Sequence, residues 1–263
     1  MSVRTSTAEK RASIKEIPLE VMRMIFAMSD KRVCAAAALV CRQWCSIALD
    51  ELWRSLPSLP PLFKVLGPLV YAGYGQDLHP DLAIATQSWD AFKSYATRVR
   101  CLTYEDDDTD MAISTELIMR ALVVHPHRRI LPNLQAVVWR IYSTRLNHAL
   151  AFCPPSLERM SLDIAEEYVP VDSVKRLLYG LSSSIANQLK FFKFGTSFLP
   201  SDNAALTTAL NTFLKNQNGL LELKFTRYEI QDPATISEAC QASPHLRTFC
   251  AEVLGFTKEM LRA

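Results

Sequence analysis

Apolar residues return along this chain in two rhythms. From residue 89 onward a short run recurs with apolar residues at its first, fourth and sixth positions. The copies are Val99-Leu102-Tyr104, Leu134-Val137-Trp139, Leu157-Met160-Leu162, Leu189-Phe192-Phe194, Leu220-Leu223-Phe225 and Leu246-Phe249-Ala251. Their starts lie 35, 23, 32, 31 and 26 residues apart. Positions four and six share one side of an extended chain, so each run predicts a strand with one face buried. Turn formers precede five of them: Pro132-Asn133, Pro154-Pro155-Ser156, Asn187-Gln188, Asn218-Gly219 and Pro244. Helix-start signals follow each run, at Ser114/Thr115, Thr144, Asp172, Ser201/Asp202, Asp232-Pro233 and Thr257. Amphipathic stripes come next, Val174-Leu177-Leu178-Leu181 in one copy and Leu206-Leu210-Phe213-Leu214 in another. A strand and a returning helix, repeated about every 30 residues, predict a parallel sheet with helices outside it.

The N-terminal rhythm is helical. Residues 1–13 are polar and read as a loose tail. Residues 14–56 read as short helices. After Pro18, which a first helical turn tolerates, Ile17, Val21, Ile25 and Met28 line one face. Met22, Met24 and Phe26 fall beside or beyond that face. A Ser29-Asp30 cap precedes a second stripe of Val33, Ala36/Ala37, Val40, Trp44 and Ile47/Ala48. Leu39, Cys41, Leu52 and Trp53 are left over. A module of about 40 residues buries little of its own surface. Its surplus apolar residues must pack on the rest of the chain or meet another protein. Residues 57–88 hold Pro57, Pro60, Pro61, Pro68 and "AGYGQDLHP", and read as an irregular connector with apolar anchors to a domain at 89–263.

These N-terminal residues resemble a known family. "IPLEVMRMIF", fourteen intervening positions, "CRQW" and a later "LW" are similar to the F-box pattern. The matches are Pro18, Glu20, Val21, Ile25, Phe26, Leu39, Val40, Cys41, Arg42, Trp44 and Trp53. The departures are Ile17 in place of the usual Leu, and Ser29 and Cys34 where the family shows leucines. The resemblance implies a three-helix module docked on the Skp-type adaptor of a cullin-based ubiquitin ligase. By motif, the implied contacts are Ile17, Pro18, Leu19, Glu20, Ile25, Phe26, Leu39, Val40, Cys41 and Trp53. Val21 and Trp44 are implied to serve the module's own core, and Val40 fits that role as well as the first.

Two further resemblances lie downstream. "WDAFKSYATRVRCL" (89–102) looks like the segment that follows the connector in many fungal F-box proteins. Its Trp89, Phe92 and Tyr95/Ala96 are helix-spaced, so a core helix explains them equally well. Residues 95–263 resemble irregular leucine-rich repeats, which implies an α/β fold: an N-terminal three-helix F-box, then a solenoid with parallel strands inside and helices outside. The repeat's turn-bonding Asn or Cys at position nine is missing; Asp107, Tyr142, Ala165, Ser197, Tyr228 and Leu254 stand there. A three-layer α/β domain is the rival arrangement. The repeat reading implies outward side chains at positions three, five and seven. They are Arg140, Arg159, Asp163, Phe191, Lys193, Glu222, Lys224 and Glu252, the candidate contacts for a protein substrate. Their mixed signs name no target class. The last unit starts a helix, "TKEMLRA", and stops, so the expectation is a chain lacking later repeats, with strand 246–251 left uncovered.

Composition narrows the function classes. Net charge is +2 over 263 residues, and neither the first 56 residues nor the remainder is a charge block. Neither nucleic acid nor a membrane surface is expected as a partner. The most apolar stretch, "LPSLPPLFKVLGPLVYAGYG", is broken by Lys64 and four prolines, short of the ~20 uninterrupted residues of a membrane helix. The N-terminus lacks the apolar segment of a signal peptide. Seven cysteines at 34, 41, 45, 101, 153, 240 and 250 make an odd set with no C-x-x-C pair. Together these predict a reducing, intracellular site, cytoplasmic or nuclear.

Chemistry is not signalled. "EDDDTD" (105–110) begins like an EF-hand, but Met111 stands for the required Gly and Leu117 for the closing Glu. A solvated loop explains it better. "HPHRR" (125–129) has no third ligand beside its two histidines and suits a helix end. Cys41 and Cys45 lack a partner pair and read as small core residues. No P-loop, G-x-S-x-G or G-x-G-x-x-G occurs. No cofactor, metal or catalytic residue is expected. Two other readings stay open: an adaptor-bound assembly factor without ubiquitin transfer, and an enzyme with an appended F-box.

Overall fold

The recurring apolar runs become strands that share one sheet in one register. The computed structural model describes residues 17–72, 75–79, 83–106, 112–124, 129–142, 149–164, 169–185, 187–196, 203–226 and 241–252. The chain divides into two compact units, Met1–Trp53 and Arg54–Ala263.

The first unit begins with helices α1 (Leu19–Ala27) and α2 (Lys31–Ala37), and α3 (Arg42–Arg54) closes it. Pro18 sits just ahead of α1, its carbonyl accepting from the Met22 N–H at 3.1 Å. Asp30 caps α2 as expected; its carboxylate accepts from the Val33 N–H at 2.8 Å. The core is small: Met22, Phe26, Cys34, Ala37, Ile47 and Ala48, with Ile17, Ala38, Trp44 and Leu52 packed partly against it.

The second unit starts at a two-residue strand, β1 (Ser55–Leu56). Helix α4 (Pro60–Phe63), a hairpin of β2 (Leu69–Tyr71) and β3 (Gln76–Leu78), and helix α5 (Thr86–Ala96) follow. The segment read as a connector therefore carries structure of its own. Leu59, Leu62 and Phe63 are fully buried, and the Phe63 ring meets Phe92 of α5 edge-on at 5.2 Å. The turn of the hairpin requires glycine at 75: φ is +131°, and a Cβ would lie 2.9 Å from the Ala112 carbonyl oxygen.

Strand and helix then alternate: β4 (Cys101–Asp106), α6 (Thr115–Val124), β5 (Ala136–Ile141), α7 (Ala149–Phe152), β6 (Arg159–Ile164), α8 (Val171–Ser184), β7 (Phe191–Thr196), α9 (Asn203–Lys215), β8 (Glu222–Thr226) and β9 (Thr248–Glu252). The protein is thus mixed α/β, with nine helices among the described residues. Seven strands form one sheet in the order β1-β4-β5-β6-β7-β8-β9, each neighbouring pair parallel. The sheet grows in one direction with chain order and never reverses, as a doubly wound three-layer sheet would.

Register follows the sequence pattern. Fourth positions align from Leu102 through Val137, Met160, Phe192 and Leu223 to Phe249, and sixth positions from Tyr104 through Trp139, Leu162, Phe194 and Phe225 to Ala251. The backbone repeats too. The Arg100 carbonyl accepts from the N–H groups of Gln135 and Ala136, that of Gln135 from Glu158 and Arg159, and that of Glu158 from Lys190 and Phe191. Lys190 and Leu221 continue the series. Helices cover the apolar face: Phe152 of α7 packs against Tyr104 and Trp139, and Phe213 of α9 lies 4.9 Å from Phe192. The opposite face, Gly195 apart, stays half-buried or exposed among the described residues.

The absent position-nine asparagines are replaced by polar ties in the turns before the strands. The Asn133 amide donates to the Thr97 carbonyl at 2.8 Å, and the Ser156 hydroxyl bonds the Pro132 and Leu134 carbonyls, each at 3.1 Å. Asn187 takes the left-handed conformation at φ 63°, which asparagine tolerates better than most residues. Of the helix-start signals, Ser114 accepts from the Leu117 N–H at 3.1 Å. Asp172 lies inside the first turn of α8, behind Pro170; a hydrogen bond from Lys175 holds its carboxyl below the ordinary value. Thr144, Ser201/Asp202, Asp232-Pro233 and Thr257 lie outside the described residues, as do 107–110 of the acidic run and 125–128 of the histidine run.

Gln217, in the turn after α9, conflicts with its surroundings. It is fully buried, and among the described residues both polar atoms of its amide lack a hydrogen-bond partner. An unsatisfied buried amide costs about 1–3 kcal/mol. Gln217→Met keeps the length and removes the polar atoms, so the expected result is a melting temperature raised by a few degrees in thermal denaturation. An unchanged or lower value would show the amide to be satisfied in solution.

Candidate functional site

Helix α1 is apolar on two sides. Met22 and Phe26 turn inward. Val21, Met24, Ile25 and Met28 repeat at three- and four-residue intervals on another side and are exposed, as is Leu19. A helix with two apolar stripes needs cover on both, and a unit with six buried core residues supplies one. Beyond α2, Leu39 and Val40 follow in a tight turn whose N–H groups bond the Ala36 and Ala37 carbonyls, each at 3.1 Å. Leu39 is 88% exposed, Met28 82% and Val40 62%. Eight of the thirteen exposed large hydrophobics among the described residues fall between Leu19 and Val40. Burying a side chain of this size contributes about 1.5–3 kcal/mol, so the bare surface holds ample driving force for association.

The structure rearranges the residues the motif picked out. Phe26, expected as a contact, is closed into the core, edge-on to Trp44 at 5.8 Å. The reason is phase: Phe26 lies one turn beyond Met22, on the inward stripe. Val21, expected in the core, is exposed for the same reason. Trp44 is half-buried against the core as expected. Pro18, Leu19, Glu20, Ile25, Leu39, Val40 and Cys41 are exposed, while Ile17 and Trp53 are half-buried. Met24, Met28 and Val33 are exposed and apolar and were not among the expected contacts. Cys34, standing where the family shows leucine, fills the core, and its thiol donates to the Phe26 carbonyl at 3.6 Å.

A second surface is the open face of the sheet. Arg140, Arg159, Asp163, Phe191, Lys193, Glu222 and Lys224 are half-buried or exposed there, on alternate strand positions. Glu252 aligns with Thr226 at the end of β9; its side chain lies outside the description. Arg140 pairs with Glu105, and Lys224 lies 3.6 Å from Glu222. No group of three or more His, Cys, Asp or Glu among the described residues could hold a metal ion. No described helix is long and apolar enough to cross a membrane.

A compact three-helix unit with an inner core and an oversized apolar exterior is a docking module. Residues 14–56 match the family model described as F-box-like. The N-terminal unit thus carries an F-box-like domain; such domains generally bind Skp-type adaptors. No curated protein matches the chain.

Proposed function

We propose that this protein is a substrate-receptor subunit of a Skp–cullin–F-box ubiquitin ligase, working in the cytoplasm or nucleus. The exposed apolar surface between Leu19 and Val40 carries the reading, because it lies on the part of the chain that matches the F-box family. The repeated-strand domain, which we take to be leucine-rich-repeat-like, holds the target on its open sheet face. The chain performs no bond chemistry of its own. It raises the effective concentration of target lysines beside the ubiquitin-charged enzyme. Ubiquitin transfer to a bound target that depends on the cullin tests the ligase role. An adaptor complex that never supports transfer would leave an assembly role instead.

Cys41 reports on docking directly. Cys41 and Cys250 are exposed, whereas Cys34 and Cys153 are buried. Burial pushes the Cys153 thiol up to about 12, against a smaller opposing pull from Arg129. Burial also raises Cys34, helped by the carboxylates of Glu51 and Asp30. The thiolate is the reactive form, so both buried thiols stay protonated and inert at pH 8. Iodoacetamide at that pH is expected to label Cys41 and Cys250 and spare Cys34 and Cys153, as read by peptide mass spectrometry. Saturating adaptor should then protect Cys41 and leave Cys250 reactive. Equal labelling of Cys41 with and without adaptor would move the docking surface elsewhere.

A further inference from the structure

We infer that the open face of the sheet binds an acidic peptide segment, its carboxylates held by Lys193, Lys224 and Arg159 around the Phe191 ring. The inference rests on the proposed target-holding role of this domain and specifies its target chemistry. The four residues come from adjacent strands. Arg159 of β6 aligns with Phe191 of β7, and its guanidinium carbon lies 4.6 Å from the ring centroid. The Lys224 ammonium of β8 lies 5.4 Å from the same centroid. One ring is thus flanked by two cations, and its quadrupole attracts them without neutralising their charge.

The decisive pair is Lys193 and Lys224, which are directly opposite each other across β7 and β8. Neighbouring strands are about 4.8 Å apart, and like charges directly opposite destabilise a sheet. Neither Lys193 nor Arg159 makes an ion pair within the described residues. Lys224 has Glu222 at 3.6 Å, a pair open to solvent and weak for that reason. A carboxylate lying across Lys193 and Lys224 would remove the repulsion and complete a site already built on one side. The positions aligned with the pair, Val138, Ser161 and Cys250, are uncharged, as are Thr226 and Thr248 on the strands beside it, so an extended segment can lie along that row. Glu105, Asp163 and Glu222 interrupt the positive charge. A nucleic-acid backbone, with a phosphate at every step, would meet those carboxylates, whereas a peptide can place its acids at alternate positions.

The test is selection of random dodecapeptides displayed on phage against the full chain. Selected peptides should be enriched at least about threefold in Asp and Glu over the input. A Lys193→Glu/Lys224→Glu chain, checked for an unchanged melting temperature, should lose that bias or select Lys and Arg instead. The milder Lys193→Gln/Lys224→Gln chain should weaken the best acidic peptide about tenfold or more, and added salt should weaken it on the wild type. Selection without acidic bias, or a bias that survives in both variants, would overturn the inference. So would displacement of the peptide by single-stranded oligothymidine at matched concentration, which would assign the face to nucleic acid. Adaptor co-purification scored on the same variants separates the two claims. Acidic bias absent on the wild type with adaptor binding kept sinks this inference alone, and adaptor binding absent in the wild type with the acidic bias kept sinks the ligase role alone.

Discussion

Leu39→Asp together with Val40→Asp abolishes recovery of a Skp-type adaptor by the full-length chain, with an expected loss in affinity of about a hundredfold or more. Both side chains are exposed in the free protein, on a turn held by backbone bonds rather than by their own packing. Charge placed there is solvated and leaves folding alone, so the melting temperature should stay within about a degree of wild type. In a docked complex the same carboxylates would be stripped of water with no partner, at a cost of several kcal/mol. Central, fully desolvated apolar residues dominate such interfaces, and two adjacent ones at a loop apex are suited to that position. Co-purification at matched expression measures the effect, with Lys193→Glu/Lys224→Glu as the control expected to retain adaptor. Retained adaptor in the aspartate variant would show that the bare surface serves some other purpose.

The sheet was readable because each strand announces itself twice. Leu134, Leu157, Leu189 and Leu220 are fully buried just ahead of their strands, and the paired residues at positions four and six then set the register. Strand β1 escaped, since Ser55 and Leu56 offer two residues and no alternation; pairing with Cys101 and Leu102 makes it a strand. The prolines of 57–68 read as breaks, yet Pro60 and Pro61 sit in the first turn of α4, where a missing N–H costs nothing.

The docking surface was legible in amount and not in phase. Composition showed that the N-terminal module carries more apolar surface than it can bury. Periodicity placed Val21, Ile25 and Met28 on one apolar face of α1 without saying which way that face turns. The structure places Met22 and Phe26 inside and those three outside. Which stripe turns inward depends on what α2 and α3 offer it, here Cys34, Ala37, Ile47 and Ala48. Small residues such as Cys34 and Ala37 leave room for a ring the size of Phe26, a match that spacing along α1 does not encode. The cation-flanked ring on the sheet was invisible for a similar reason. Arg159, Phe191 and Lys224 lie in three different repeats and meet only through strand register.

Phe26→Ala also removes adaptor binding, and by a different route. Phe26 is 3% exposed, packs edge-on against Trp44, and its carbonyl receives the Cys34 thiol. Truncating a buried phenylalanine costs about 3–5 kcal/mol, from lost transfer energy and the cavity left behind. A unit of this size has little more than that to lose. The expected result is unfolding confined to the first unit: amide exchange across 17–53 accelerates toward free-chain rates while β5 to β8 keep their protection. The contrast with Leu39→Asp/Val40→Asp then separates shape from contact. Both variants lose adaptor, but only Phe26→Ala loses exchange protection, and Phe26→Leu should restore part of both. Were Phe26→Ala to lose adaptor with protection across 17–53 intact, the ring would have to swing outward on docking, and the inward packing of α1 would describe only the unbound form.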